Sequence, residues 1–187
     1  MNEVIRAIMD RRSTRGFTDE ALTEGEVQTL VDAALAAPTA RNTQYWHFSV
    51  VHNQALLDEM NGEMTRIITA KKPEGQRGRF DERGYHVFYH APTVIFISIP
   101  EACDSRFAEI DAGIAVENIA LAAQGLGLGS VIVGMIADVF EGERAAEFNA
   151  RIGVPEGWRF AIAVVVGHNS VTKGPHPIGE NKVNRVP

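Results

Sequence analysis

The most constraining feature of this sequence is the stretch 106–124, which is predicted to form one long helix with apolar residues around most of its circumference. Six alanines and Gly113 make this helix unusually rich in small side chains. Such a helix has to be buried on several sides, and its small residues allow another backbone to approach closely. In a chain of 187 residues, part of that burial is expected to come from a second subunit.

Helices and strands alternate along the rest of the chain. Apolar periodicity and capping signals predict four further helices, over residues 3–11, 24–37, 54–67 and 140–151. Asp138 is the predicted cap of the last one. Runs of β-branched and aromatic residues predict strands over residues 46–51, 93–99, 130–134 and 159–166. Alternation of this kind, taken alone, favours a parallel α/β sheet. No repeat or linker divides the chain, so a single domain is predicted over residues 1–187.

The composition excludes several classes of protein. The net charge of −6 argues against nucleic acid or an anionic membrane as the partner. Cys103 is the single cysteine, so no internal disulfide is expected. No apolar run approaches the length that spans a bilayer, and residues 1–6 lack the apolar core of a signal peptide, so we expect a cytoplasmic protein. The six histidines have no metal-ligand spacing, and no metal site is predicted.

Three arginines and two hydroxyl side chains occupy the five positions 11–15. Arg11, Arg12 and Arg15 carry planar guanidinium groups that match phosphate or carboxylate oxygens, and Ser13 lies between them. Arginines at a helix C-terminus also suit the helix dipole, which is the alternative explanation for the first two. That alternative explains neither Ser13 nor Arg15, so the cluster predicts an anion site.

Other polar or glycine-rich stretches allow more than one interpretation. Residues 39–44 form a polar loop that could recognise a heterocycle edge or serve as a turn. Residues 71–84 are charged and form either a lid or a solvated connector, followed by aromatic residues that line a pocket or belong to the core. The glycines of 125–129 follow a helix and precede a strand, the reverse of a nucleotide-binding loop, so they are predicted to end the helix.

No arrangement of side chains indicates a nucleophile or an acid–base pair. Asp111 and Glu117 are six residues apart on the predicted long helix, which places them on different faces. No nucleophile elbow or Cys/His pair is present. An enzyme built in this way would rely on a cofactor for its chemistry.

Several stretches together resemble the nitroreductase family of FMN-dependent oxidoreductases. Residues 11–17 resemble the family's RRSxRxF element, and residues 37–48 resemble its APSxxNxQPWxF element. Residues 111–134 resemble its DxGxAxxN…GLGxxxxG segment. Three departures accompany the resemblance: Tyr45 in place of proline, Val133 where some members have glutamate, and Pro175-His176-Pro177 where many have arginine.

The resemblance implies an α+β fold with a central mixed, mostly antiparallel sheet flanked by helices. It also implies a homodimer with FMN at the interface and a tail over residues 168–187 that wraps the partner subunit. Residues 71–90 match no family motif and stay a candidate lid. The flavin-binding residues implied for one subunit are Arg11, Arg12, Ser13, Arg15, Val133, Gly134, Lys173 and His176. Those implied for the partner subunit are Pro38, Thr39, Asn42 and Gln44.

The implied activity is hydride transfer from NADH or NADPH through flavin N5 to an electron-poor acceptor such as a nitroaromatic or a quinone, with ping-pong kinetics. The backbone of Gly134 would lie near N5, and the charge of Arg15 near the N1 side of the flavin. Two alternatives stay open at this point. One is a specialised relative, a reductive dehalogenase or a flavin-fragmenting enzyme, and the other is a non-enzymatic flavin sensor or store.

Overall fold

Four strands and six α-helices alternate along residues 2–186, the part of the chain that the computed structural model describes. The helices are α1 (Glu3–Asp10), α2 (Glu24–Leu35), α3 (Gln54–Lys71), α4 (Ala108–Gly125), α5 (Ala137–Glu141) and α6 (Ala145–Ile152). The strands are β1 (His47–Val51), β2 (Thr93–Pro100), β3 (Gly129–Val133) and β4 (Trp158–Gly167). Short 3₁₀ turns cover Ala40–Asn42 and Gly78–Asp81.

The strands form one sheet in the order β1-β2-β4-β3, and every neighbouring pair is antiparallel. The antiparallel sheet implied by the resemblance is thus confirmed, and the parallel sheet favoured by element order is not. The chain leaves β2, crosses through α4 and returns as β3 in the same direction, but β4 inserts between them. Within residues 2–186, the one parallel pairing is an isolated bridge between Ser13 and Ser130.

Helices cover both faces of the sheet, so each central strand is buried on both sides. Phe96 of β2 points to one face, against α3, α5 and α6. Its neighbours Ile95 and Ile97 point to the other face, against α2 and α4. Burial on both faces explains why the central strands are continuously apolar rather than alternating.

Local capping chemistry fixes several helix ends as predicted. Thr23 and Glu26 form the complete capping box at the start of α2. The Asn53 side chain accepts a hydrogen bond from the backbone of Leu56 at the start of α3. At the end of α4, Gly127 adopts a left-handed φ of 77°, and the Leu128 N–H donates to the Ala123 carbonyl at 2.8 Å. This is the Schellman arrangement, which confirms that these glycines end the helix.

The single helix predicted over 140–151 is wrong. The structure has two helices there, separated at Gly142, whose extended backbone ends α5. Asp138 lies inside α5 rather than at its cap, and its carboxylate pairs with Lys71 of α3 at 2.7 Å. A Cβ on Gly142 would lie 3.1 Å from the Asp138 carbonyl.

Several apolar side chains stay exposed in the single chain. The helix α1 buries none of its residues, and Val4 and Met9 are 65% and 59% exposed. On α4, Ile110 and Ile114 also face outward. Residues 171–186 are exposed and form no helix or strand. Over residues 2–186, no helix is both long enough and apolar enough to cross a bilayer.

Candidate functional site

The arginine cluster and the tail come together in one cleft. It encloses about 180 Å³ and is lined by Arg11, Arg12, Ser13, Arg15, Lys173, Gly174 and His176. Six of these seven are residues that the sequence predicts to bind the cofactor. The structure therefore brings together side chains that lie about 160 positions apart in the sequence.

Backbone pairing at the edge of the sheet holds the two segments in place. The Thr14 N–H donates to the Ser130 carbonyl at 2.9 Å, which ties the arginine segment to the start of β3. Phe17 pairs with Asn169, and the Ser170 N–H donates to the Gly16 carbonyl at 3.0 Å. The tail therefore leaves β4 alongside the arginine segment, which brings Lys173 to the cleft.

The cleft carries positive charge that residues 2–186 neutralise only in part. Arg11 has a partial partner, because its buried Nε lies 3.3 Å from a Glu117 carboxylate oxygen, although without hydrogen-bond geometry. Within residues 2–186, no carboxylate lies within ion-pair distance of Arg12, Arg15 or Lys173. In a chain of net charge −6, a cationic cleft with so little compensation within the described residues suits an anionic ligand.

The guanidinium groups differ in how far the chain itself orients them. Arg12 Nη1 donates to the carbonyls of Met9 and Arg11 at 2.7 and 2.6 Å, so part of its capacity closes the end of α1. Arg15 Nη1 makes only a long contact, 3.5 Å, with the Ser13 carbonyl. Most donors of Arg15 are thus free for a ligand, whereas Arg12 is partly structural.

The second predicted group of residues forms a separate loop. Thr39 Oγ1 accepts a hydrogen bond from the Gln44 N–H at 3.0 Å, and the Gln44 side-chain amide donates to Asn42 Oδ1 at 3.0 Å. Asn42 and Gln44 have φ values of 54° and 52°, in the left-handed region, which asparagine adopts more readily than glutamine. Pro38 is exposed and begins this loop, which we call the Pro38–Gln44 loop.

The helix α4 holds both groups of residues, on different sides. The buried carboxylate of Asp111 accepts the Ala40 N–H at 3.1 and 3.2 Å and so fixes the Pro38–Gln44 loop. Glu117 pairs with Arg11. These two carboxylates are about 9 Å apart along the helix and about 120° apart around it. The sequence singles out both acids but does not show these roles, because the partners are far away along the chain.

The last predicted residues lie at the end of β3, outside the arginine cleft. The side chain of Val133 is buried in the core, so this residue can offer only its backbone to a ligand. Gly134 is exposed, and a Cβ there would approach Ile162 Cδ1 to 3.3 Å. Gly134 therefore keeps its backbone accessible at a point where the chain passes close to β4.

A larger cavity, not predicted from the sequence, lies between α4 and the outer part of the sheet. It encloses about 420 Å³ and is lined by Glu109, Ala112, Gly113, Val116, Ile132, Arg159, Ala161 and Ile162. Arg159 donates to Glu109 at 2.6 Å beside it. The small residues of α4 are the sequence signal that could have indicated this space.

Known proteins are similar to this chain in both sequence and fold. The sequence pattern of the Nitroreductase family matches residues 8–168. A nitroreductase of Desulfitobacterium hafniense, solved with bound FMN, is 36% identical, with all of both chains covered and a TM-score of 0.93. An FMN-dependent nitroreductase of Clostridium difficile is 30% identical over 99% of each chain, with a TM-score of 0.84.

A curated relative adds the name of an electron donor. The FMN reductase (NADPH) of Bacillus subtilis is 26% identical over an alignment of 194 positions. The alignment covers 95% of this chain and 70% of the relative. The family pattern covers the arginine segment, the Pro38–Gln44 loop and β3 together. On this match, and with the fold described above, the chain belongs to the nitroreductase family.

Proposed function

We propose that this protein is an FMN-dependent oxidoreductase that takes a hydride from NADH or NADPH and delivers it to an electron-poor acceptor such as a nitroaromatic or a quinone. The observation that carries the proposal is the arginine cleft, in which Arg12, Arg15 and Lys173 face one space without a carboxylate partner among residues 2–186. The FMN named for the similar structures supplies the anion that such a cleft needs.

The cleft has room for one end of the cofactor but not for the whole molecule. At about 180 Å³ it is smaller than the roughly 300–1,000 Å³ of typical small-molecule sites. A phosphate group fits such a space and matches the guanidinium donors. Each charge-assisted hydrogen bond contributes about 1.5–3 kcal/mol, so two or three would change affinity by roughly two to six decades.

The remainder of the site is proposed to come from a second subunit. Asp111 and Glu117 hold the two groups of binding residues on different sides of α4, so one chain does not bring them together. A homodimer that packs the exposed apolar faces of α1 and α4 would place the Pro38–Gln44 loop of one subunit beside the arginine cleft of the other. FMN would then lie between subunits.

When bound, FMN would supply the redox chemistry by accepting a hydride at N5 and passing it on. The chain's own contribution is binding and electrostatics. The exposed backbone of Gly134 would donate a hydrogen bond near N5, and Arg15 would place positive charge on the N1 side, which favours the reduced, anionic form. No side chain has to act as a nucleophile or an acid in this scheme.

The direct test is the visible spectrum of the purified protein, followed by titration with FMN and anaerobic addition of NADH and NADPH. We expect a yellow protein whose flavin absorbance bleaches with at least one nucleotide. Flavin binding without bleaching by either nucleotide would indicate a sensor or store. A colourless protein that does not quench FMN fluorescence would refute the proposal altogether.

The steady-state rate law tests the two-step scheme. Because donor and acceptor would use the same place in turn, double-reciprocal plots at several acceptor concentrations should be parallel, as in ping-pong kinetics. Intersecting lines would mean that both substrates bind together, which contradicts a shared place for them.

A further inference from the structure

The charged segment predicted as a lid or a connector contains an ordered aromatic cluster. Phe80 and Tyr85 meet edge to face, with ring centroids 4.9 Å apart, and Tyr85 meets Tyr89 at 6.0 Å. The guanidinium of Arg79 lies 4.7 Å from the Tyr85 ring centroid and 5.2 Å from that of Tyr89. Cation–π contacts of this kind hold the charge over the rings.

This cluster reaches the segment that follows β3. The Tyr85 hydroxyl donates to Met135 Sδ at 3.2 Å, and Met135 is the residue after Gly134. Burial, and then the neighbouring Tyr89, raise the pKa of the Tyr85 hydroxyl, which therefore stays protonated and able to donate. Adding the ring and hydroxyl distances, the Arg79 charge lies within about 11 Å of Met135 Sδ.

The far end of the segment is fixed to α3. The Val87 N–H donates to Asn61 Oδ1 at 2.8 Å, and the Gln54 side chain donates to the Ala91 carbonyl at 2.8 Å. Tyr89 and His90 between them have φ values of 56° and 55°. Contacts at both ends therefore hold the cluster in one position beside the end of β3.

The charge of this segment differs in sign from that of the whole chain. Residues 71–90 carry five basic and three acidic side chains, whereas the chain has a net charge of −6. Arg79 has only long contacts with Glu82, at 3.5 Å, and its side chain is 42% exposed. An exposed pair of this geometry contributes little, so an anionic ligand can compete for Arg79.

From this arrangement we infer that Arg79 is a specificity-determining residue that favours planar ligands carrying a negative charge at the redox site. The inference rests on the proposed function, because it takes the end of β3 to be the place of electron transfer. Arg79 stacks on the Tyr85 and Tyr89 rings, so the exposed part of its planar guanidinium provides both the charge and a flat surface for a planar ligand. Two sources have this chemistry, namely an acidic aromatic acceptor and the phosphorylated nicotinamide donor.

Equilibrium binding to the oxidised, FMN-loaded protein separates the two sources without turnover. Benzoate and benzamide have the same planar shape and differ in charge, so they represent the acceptor. NADP⁺ and NAD⁺ differ by one phosphate and represent the donor. Dissociation constants for all four, measured by calorimetry, give two charge-selectivity ratios for each variant.

Arg79→Gln and Glu82→Gln should move these selectivity ratios in opposite directions. Arg79→Gln should weaken binding of the charged member of one pair by up to about fivefold and leave the neutral or less charged member unchanged. Glu82→Gln removes the competing carboxylate, so it should strengthen binding of the same charged ligand by a similar factor. Arg79→Lys should retain most of the selectivity.

Arg83→Gln is the matched control, because it removes the same charge from the same segment at an exposed position with no ion pair among residues 2–186. A change in the benzoate ratio assigns the charge to the acceptor, and a change in the NADP⁺ ratio assigns it to the donor. Equal effects of Arg79→Gln and Arg83→Gln, no effect of either, or a wild-type protein that binds none of the four would overturn the inference. Flavin reduction by NADH or NADPH, measured separately, shows whether the proposed function itself holds.

Discussion

Individual residues in this protein are constrained by close approach as well as by chemistry. Gly167 ends β4 and lies against the ring of Pro92 and the side chain of Phe17. A Cβ at this position would lie 2.8 Å from Pro92 Cδ and 3.0 Å from Phe17 Cδ1. A proline ring cannot rotate away, so the small size of this residue determines how the arginine segment packs on the sheet.

Gly167→Ala should therefore destabilise the protein, by about 1–3 kcal/mol, because it overpacks a buried contact. Gly62→Ala is the matched control. Gly62 lies in α3 with open space around it, so alanine there should stabilise the helix by about 0.5–1 kcal/mol. Chemical denaturation of both variants measures the difference, and equal stabilities would show that Pro92 gives way.

Replacing Arg11 should weaken FMN binding without unfolding the protein. Its charge faces the cleft and its ion pair with Glu117 is partly exposed, so Arg11→Gln should leave the melting temperature nearly unchanged. FMN affinity should fall by about 10- to 100-fold, because one charge-assisted contact is lost. Fluorescence titration gives the affinity, with Arg6→Gln in the preceding helix α1 as control. Unfolding of the variant, or unchanged affinity, would contradict this assignment.

Charged networks on the surface join pairs of elements, and within residues 2–186 the most extensive one joins α3 to α6. Glu59 of α3 pairs with both Arg144 and Arg151, and Glu147 pairs with the same two arginines. Hydrogen bonds, first from Arg144 and then from Arg151, lower the pKa of the Glu59 carboxyl. Arg144, which precedes α6, thereby ties that helix to α3.

The pH dependence of stability follows from the sign of that shift. A carboxyl whose pKa is lower in the folded state stabilises the protein above its unfolded pKa and loses this contribution as the pH falls through the folded value. For Glu59 the loss begins near the ordinary value of 4.5 and continues below it. Glu59→Gln should be less stable than wild type at pH 7, and its melting temperature should fall less between pH 5 and pH 3. Glu156→Gln, at an exposed position with no ion pair among residues 2–186, should follow the wild-type curve, and a parallel shift of the Glu59→Gln curve would rule out this mechanism.

The elements also show where local sequence signals are sufficient. The capping box of Thr23 and Glu26 and the Schellman end at Gly127 involve residues within a few positions of one another, and both were predictable. The division between α5 and α6 was not. Apolar residues continue at helical spacing beyond the break, and at the break itself Gly142 lies close to Ile67 of α3, a contact that spacing along the chain does not reveal.

At the scale of the whole molecule, the single chain leaves apolar surface that a monomer rarely exposes. Ile5 and Ile8 of α1 are 45% and 47% exposed, and Ile110 and Ile114 of α4 are 58% and 37% exposed. Where such side chains form a contiguous patch, that patch marks an interaction site. The proposed homodimer would bury it and complete the flavin site in the same step.

Ile114→Glu should therefore reduce dimerisation and FMN affinity together, because a buried charge without a partner is costly at an interface. Sedimentation and FMN titration measure the two effects, and circular dichroism checks that the chain stays folded. Ala55→Glu, on the exposed start of α3, is the control and should change neither property. A variant that loses the dimer but retains full flavin affinity would show that one chain binds FMN alone.

The sequence by itself determined the features whose causes are local: helix ends set by capping residues, strands set by continuous apolar runs, and a dense arginine segment that requires an anion. Family resemblance, rather than element order, predicted the antiparallel sheet. Only the tertiary structure decided that β4 inserts between β2 and β3, that Lys173 joins Arg15 in one cleft, and that Asp111 and Glu117 hold the two groups of binding residues on different sides of α4. The physical reason is that these contacts join residues far apart in the chain, and such contacts depend on how the helices pack on the sheet rather than on local preference.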